Sequence, residues 1–148
     1  MEVFERMRRE GIAPSVVSFS ALISAAEKGG QWKLALEILE DMKRAGLPGN
    51  VVAYSACISA LAKGQQWERA LDLFREIQSF GGSPSIVTYN ATMTALEKGM
   101  QWERALELFE EMKMRNLPVT VVSYGGSIAA CDKGLQYRQW YVLIALLE

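Results

Sequence analysis

Four residue types recur in register along this chain, and they belong to recognition chemistry. Val17, Ser20, Ser24 and Lys28 are separated by 3, 4 and 4 residues, which puts them on one narrow line of an α-helix. The same line returns as Val52, Ser55, Ser59, Lys63, then as Val87, Asn90, Thr94, Lys98, and again as Val122, Gly125, Ala129, Lys133. Hydroxyls and a carboxamide donate and accept hydrogen bonds, and an ammonium group can meet an anion. A generic solvated face would instead mix Glu, Lys, Gln and Arg. The lysine column also has a plainer reading, because a cation at a helix C-terminus complements the macrodipole.

Proton-transfer chemistry has poor material here. The chain contains no histidine, so the commonest general base and metal ligand is missing. Cys57 and Cys131 lie far apart with no metal-ligand spacing, and read as free buried thiols rather than a disulfide. Glu107, Glu110 and Glu111 fall on a solvated helix face within helical reach of Arg104 and Lys113. No catalytic residue, metal ligand or cofactor is expected.

The elements that must carry the recognition line repeat as well. "KGGQWKLALEILEDM" begins at Lys28, "KGQQWERALDLFREI" at Lys63 and "KGMQWERALELFEEM" at Lys98, each 35 residues after the last. Internal periodicity of this length outranks other signals. Full units run over 16–50, 51–85 and 86–120, preceded by a partial unit, 1–15, and followed by an incomplete, atypical one, 121–148. Each unit predicts two helices. The first covers about Val16 to Lys28, with Phe19, Leu22, Ile23 and Ala26 as a buried stripe. The second covers about Gln31 to Ala45 and buries Trp32, Ala35, Leu36, Leu39 and Met42. Gly29, Gly64 and Gly99 are expected to end the first helices in left-handed geometry, and Gly46, Gly81 and Asn116 the second ones. Pro14, Pro48, Pro84 and Pro118 stop further helix. A lone hairpin cannot bury both stripes, whereas stacked hairpins can, so the fold expected is an all-α solenoid with the first helices along one surface. The column Trp32, Trp67, Trp102 and Tyr137 lies on the apolar stripe and is expected to pack rather than to stack on a ligand.

Composition fits such a scaffold: 50% apolar, 22% charged, net charge −1. The small net charge conceals segregation. Of 17 acidic residues, only Glu27, Glu97 and Asp132 fall in first helices, where they sit beside lysines and partly offset them. No apolar run approaches the roughly 20 residues of a membrane span, and "WYVLIALL" (140–147) reads as a core helix. In that last unit Trp140 replaces the alanine of the Ala35, Ala70, Ala105 column, and the helix is apolar nearly all round. It is expected either to dock as a plug or, the reading preferred, to expose a patch that promotes self-association. Residues 1–15 align with 106–120, and no signal or transit segment is recognisable, so the chain reads as one that starts inside a repeat.

A 35-residue unit opening "VVSFSALI", "VVAYSACI", "IVTYNATM" and "VVSYGGSI", continuing "ALELFEEM" and closing near proline, resembles the pentatricopeptide repeat family, in its class of uniform repeats. The tetratricopeptide pattern W-x₂-LG-x₂-Y is not found. The resemblance implies a right-handed α-solenoid of helix-turn-helix hairpins that binds single-stranded RNA at about one base per unit. By it, Val17, Val52, Val87 and Val122 would sandwich bases. Ser20, Ser55, Asn90 and Gly125 would face base edges, assisted by the residue before the next unit: Asn50 for Ser20, Ser85 for Ser55, Thr120 for Asn90. Lys28, Lys63, Lys98 and Lys133 would approach phosphates. Adenine is expected at Ser20/Asn50 through the carboxamide, and cytosine or uracil at Asn90/Thr120. Ser55/Ser85 and Gly125 promise little selectivity. The setting implied is RNA processing, stability or translation in mitochondrion or plastid. A protein-interaction scaffold is the alternative, since solenoid surfaces also bind peptides.

Overall fold

The structure, a computed structural model, describes residues 2–121, 123 and 125. Seven helices account for the regular structure among the described residues: α1 (Glu2–Arg9), α2 (Val16–Lys28), α3 (Trp32–Arg44), α4 (Val51–Lys63), α5 (Trp67–Ser79), α6 (Ile86–Lys98) and α7 (Trp102–Met114). From α2 onward each is 13 residues long. The start of each first helix is set by a side chain. Ser15, Asn50 and Ser85 each accept the backbone N–H of the third residue on, satisfying a donor that the helix itself leaves orphaned.

Both helix ends in a hairpin close in the same way. Gln31 N–H reaches the Ala26 carbonyl at 2.8 Å while Gly30 N–H reaches Glu27 at 3.0 Å, the paired bonds of a Schellman cap. The residue with positive φ is therefore Gly30, Gln65 or Met100, not the glycine expected from the sequence: Gly29, Gly64 and Gly99 keep ordinary φ values of −79°, −81° and −83°. The second helices do turn at Gly46, Gly81 and Asn116, with φ of 71°, 78° and 55°.

The recurrence of the glycine every 35 residues has another cause. A Cβ on Gly64 would overlap the Trp32 ring, and one on Gly99 would overlap Trp67. The Trp32 and Trp67 indoles each reach one unit forward, lie against the next unit's glycine, and are covered by that unit's arginine: Arg69 stands 5.3 Å from the Trp32 centroid and Arg104 5.3 Å from Trp67. The tryptophans thus pack against the core and join neighbouring units.

Helix α4 packs on α2 and α6 and also touches α3 and α5, so contacts run between successive hairpins. The core follows the expected stripes: Phe19, Ile23 and Ala26 of α2 and Ala35, Leu39 and Met42 of α3 are buried, as are their equivalents. Leu22 and Leu36 are only half-buried, while Ile38, outside the expected stripe, is 4% exposed. Cys57 is a buried free thiol that donates to the Ala35 carbonyl, and desolvation pushes it up to about 12. Cys131, Trp140 and the apolar terminal helix lie outside the described residues.

Candidate nucleic-acid interface

The first helices present their valines to solvent. Val17, Val52 and Val87 are 77%, 64% and 63% exposed, although the helices that carry them are packed on their other faces. Between Val52 and Val87 opens a cavity of about 370 Å³, with Ser55, Ser85, Ser59 and Ser24 among its walls. The same cavity thus brings two exposed valines together with several hydroxyls and the Glu27 side chain.

At each junction the structure brings the two expected edge-facing residues together. The Ser20 hydroxyl donates to the Val16 carbonyl at 2.8 Å and accepts from Asn50 Nδ2 at 3.4 Å. Asn50 Oδ1 is committed to the Ala53 N–H at 2.7 Å. The expected adenine contact uses both faces of that carboxamide, and its oxygen would have to serve the base and the helix cap at once. Asn90 Nδ2 donates to Thr120 at 3.4 Å, and Asn90 Oδ1 accepts the Ser123 hydroxyl at 2.7 Å. Ser55 and Ser85 meet through a third residue, Thr88, whose Oγ1 lies 2.6 Å from Ser55 and 3.0 Å from Ser85. Gly125 is exposed, with open space around it. Val122 and Lys133 lie outside the described residues.

The lysines are not equivalent. Lys63 donates to Glu27 of the preceding unit at 2.5 Å. Glu27 therefore pairs with the lysine one unit on, not with adjacent Lys28 as the sequence suggests. Lys28 and Lys98 are exposed and have no ion pair among the described residues. The position equivalent to Glu27 that would serve Lys98 is Ala62.

Sequence reasoning missed a cluster on the other side of the hairpins. The Tyr54 hydroxyl donates to Glu76 at 2.7 Å, and Lys43 of the preceding unit reaches the same carboxylate at 2.8 Å. Burial alone would lower the Lys43 ammonium, but the Glu76 hydrogen bond and the Tyr54 and Glu76 charges raise it above its ordinary value. Desolvation and the Glu76 bond push Tyr54 up to about 12. Desolvation would raise Glu76, yet its bonds to Lys43 and Tyr54 leave it below the usual carboxylate range. The next junction repeats the arrangement with Tyr89, Glu111 and Gln78, at 2.9 Å and 2.6 Å. The signal was present, in the 35-residue recurrence of Tyr54/Tyr89 and of Glu76/Glu111.

Stacked helical hairpins with one solvent-facing line of valines and polar groups define an α-helical repeat protein of the binding type. Comparison with known proteins gives the family. The PPR repeat family matches over residues 14–63, 49–98 and 84–133, and the chain belongs to that family. The crystal structure of the pentatricopeptide repeat protein PPR10 from maize superposes with a TM-score of 0.84 at 21% identity, covering 97% of this chain and 21% of that one. PPR10 in complex with an 18-nt psaJ RNA element gives 0.75 at 21% identity, with the same coverage. The PPR domain of Arabidopsis thaliana protein-only RNase P 1 in complex with tRNA gives 0.77 at 14% identity, covering 99% of this chain and 80% of that one. This chain thus spans about a fifth of the length of PPR10. No curated protein matches it.

Proposed function

We propose that the chain is a single-stranded RNA-binding module that takes about one base per unit. The observation that carries this reading is the slot between Val52 and Val87 with hydroxyls along its wall. Apolar side chains can stack on any base, and hydroxyls beside them can meet a base edge. Units 16–50, 51–85 and 86–120 supply the described sites, with Val17, Val52 and Val87 as plates and Ser20/Asn50, Ser55/Ser85 and Asn90/Thr120 as edge readers. PPR proteins are generally organellar, and a role in processing, stability or translation of transcripts in mitochondrion or plastid accords with that. The repeat is a binding fold and not a catalytic one.

Salt titration of RNA binding tests the reading. Each phosphate contact on a single strand contributes about −0.7 to the slope of log K against log salt. The two lysines of the recognition line that have no ion pair among the described residues, Lys28 and Lys98, give a slope of about −1.4 on that basis. Fluorescence anisotropy with a labelled uridine oligomer measures it. No binding at low salt, together with capture of an extended peptide by the valine face, would establish the scaffold alternative instead.

A further inference from the structure

We propose that Thr88 is a specificity-determining residue of the middle site, where it turns the hydroxyl protons of Ser55 and Ser85 inward and leaves that pair only acceptors for the RNA. The inference rests on the RNA reading above. It follows from counting protons. The Ser55 hydroxyl lies 2.6 Å from the Val51 carbonyl, and a carbonyl can only accept, so the single Ser55 proton is spent there. The 2.6 Å contact between Ser55 and Thr88 then needs the Thr88 proton. With that proton gone, the 3.0 Å contact between Thr88 and Ser85 needs the Ser85 proton. Ser85 N–H also points at Thr88 Oγ1, at 3.1 Å, and Thr88 N–H points at Ser85 Oγ, at 3.3 Å. The relay is thus directed: Ser85 to Thr88 to Ser55 to the helix backbone. Thr88 is fully buried and Ser55 is 7% exposed, so water does not compete for their protons, whereas Ser85 is exposed and its proton is directed only by the 3.0 Å contact to Thr88.

What the Ser55/Ser85 pair keeps toward the slot are oxygen lone pairs. An acceptor-only pair suits a base edge that offers donors. Guanine alone carries two adjacent donors, N1–H and the N2 amino group, on its Watson–Crick edge, whereas the other bases put an acceptor beside each donor. The middle site therefore selects guanine. Neighbouring junctions differ at the same position. Ala53 offers only its backbone N–H, so Asn50 keeps an outward N–H. Ser123 gives its proton to Asn90 Oδ1, which fixes how that carboxamide is turned. The third residue of each following unit thus sets the hydrogen-bonding sense of the pair in front of it.

The test uses the full chain and labelled uridine hexamers carrying a single guanine or adenine at each position in turn. The wild-type chain is expected to prefer guanine over adenine at one position by about fivefold, the worth of one hydrogen bond. Thr88→Val keeps the shape but removes the relay's middle member, freeing the Ser85 proton for adenine N1, and the preference should fall to within about twofold. Thr88→Ser restores the hydroxyl and should restore the preference. Thr88→Ala gives the same loss if the valine variant does not fold, which a thermal melt decides. An unchanged base ranking in a folded Thr88 variant, or adenine preferred by the wild type, overturns the inference and leaves RNA binding standing. Absence of binding to any hexamer overturns both.

Discussion

The same side-chain atom can be asked to do two things, and the geometry shows which task prevails. Asn50 is the clearest case. Its carboxamide oxygen caps α4 at 2.7 Å, so a base must share that oxygen with the helix end. Lys63 is a second case, because its ammonium already pairs with Glu27 before any phosphate arrives. Removing Lys98 should therefore weaken RNA binding more than removing Lys63. Lys98→Ala is expected to reduce the magnitude of the salt slope by about 0.7 and Lys63→Ala by clearly less. Glu27→Gln should release Lys63 and steepen the slope toward that of one further contact. Equal effects of the two lysine variants would show that the inter-unit pair opens freely in solution. These distinctions could not be seen in the chain itself. Glu27 adjoins Lys28 in sequence, and only the stacking of hairpins carries it to Lys63.

At the scale of the helix, adjacent residues at one turn have opposite reasons for being what they are. Gly64 is required because Trp32 of the previous unit occupies the space of a Cβ. Gln65, its neighbour, has the positive φ of 56° that glycine would occupy without strain. The expected outcomes oppose each other. Gly64→Ala should destabilise by about 1–3 kcal/mol through overpacking. Gln65→Gly should stabilise by roughly 0.5–1 kcal/mol, since relief of left-handed strain exceeds the added entropy of the unfolded chain. Denaturant midpoints of the two variants decide it, and destabilisation by Gln65→Gly would contradict the cap assignment. Helix boundaries were legible because two periodicities coincide in them: 3.6 within a helix and 35 between helices. The cap was misplaced by one residue because sequence shows which residue tolerates positive φ, not which one has an indole pressed against it from 32 positions upstream. The same limit hid Tyr54, Glu76 and Lys43, which belong to three different helices.

For the whole molecule, stability is a property of the junctions, since among the described residues each hairpin touches only its neighbours. The junction between the first two full units carries the cluster of Lys43, Tyr54 and Glu76, and its response to pH follows from the direction of each shift. Glu76 ionises more readily in the folded chain than at its ordinary value of 4.5. A carboxylate with a depressed pKa contributes stability above its unfolded pKa and loses it as pH falls through the folded one. Lys43 and Tyr54 are both raised, so their contribution is complete below their ordinary values of 10.5 and 10.0 and is lost only on further alkalinisation. The cluster therefore holds across neutral pH and fails first in acid. Glu76→Gln removes the carboxylate, so it should lower the denaturant midpoint at pH 7. It should also flatten the fall in stability below about pH 4.5, the ordinary carboxylate value, so that variant and wild type converge in acid. Hydrogen exchange of α3 and α4 should show the loss at that junction, because Lys43 and Tyr54 lie in those helices. Parallel acid limbs for variant and wild type would mean that Glu76 keeps its ordinary affinity for protons and that apolar contacts alone, with Trp32 against Gly64 at their centre, hold the units in register.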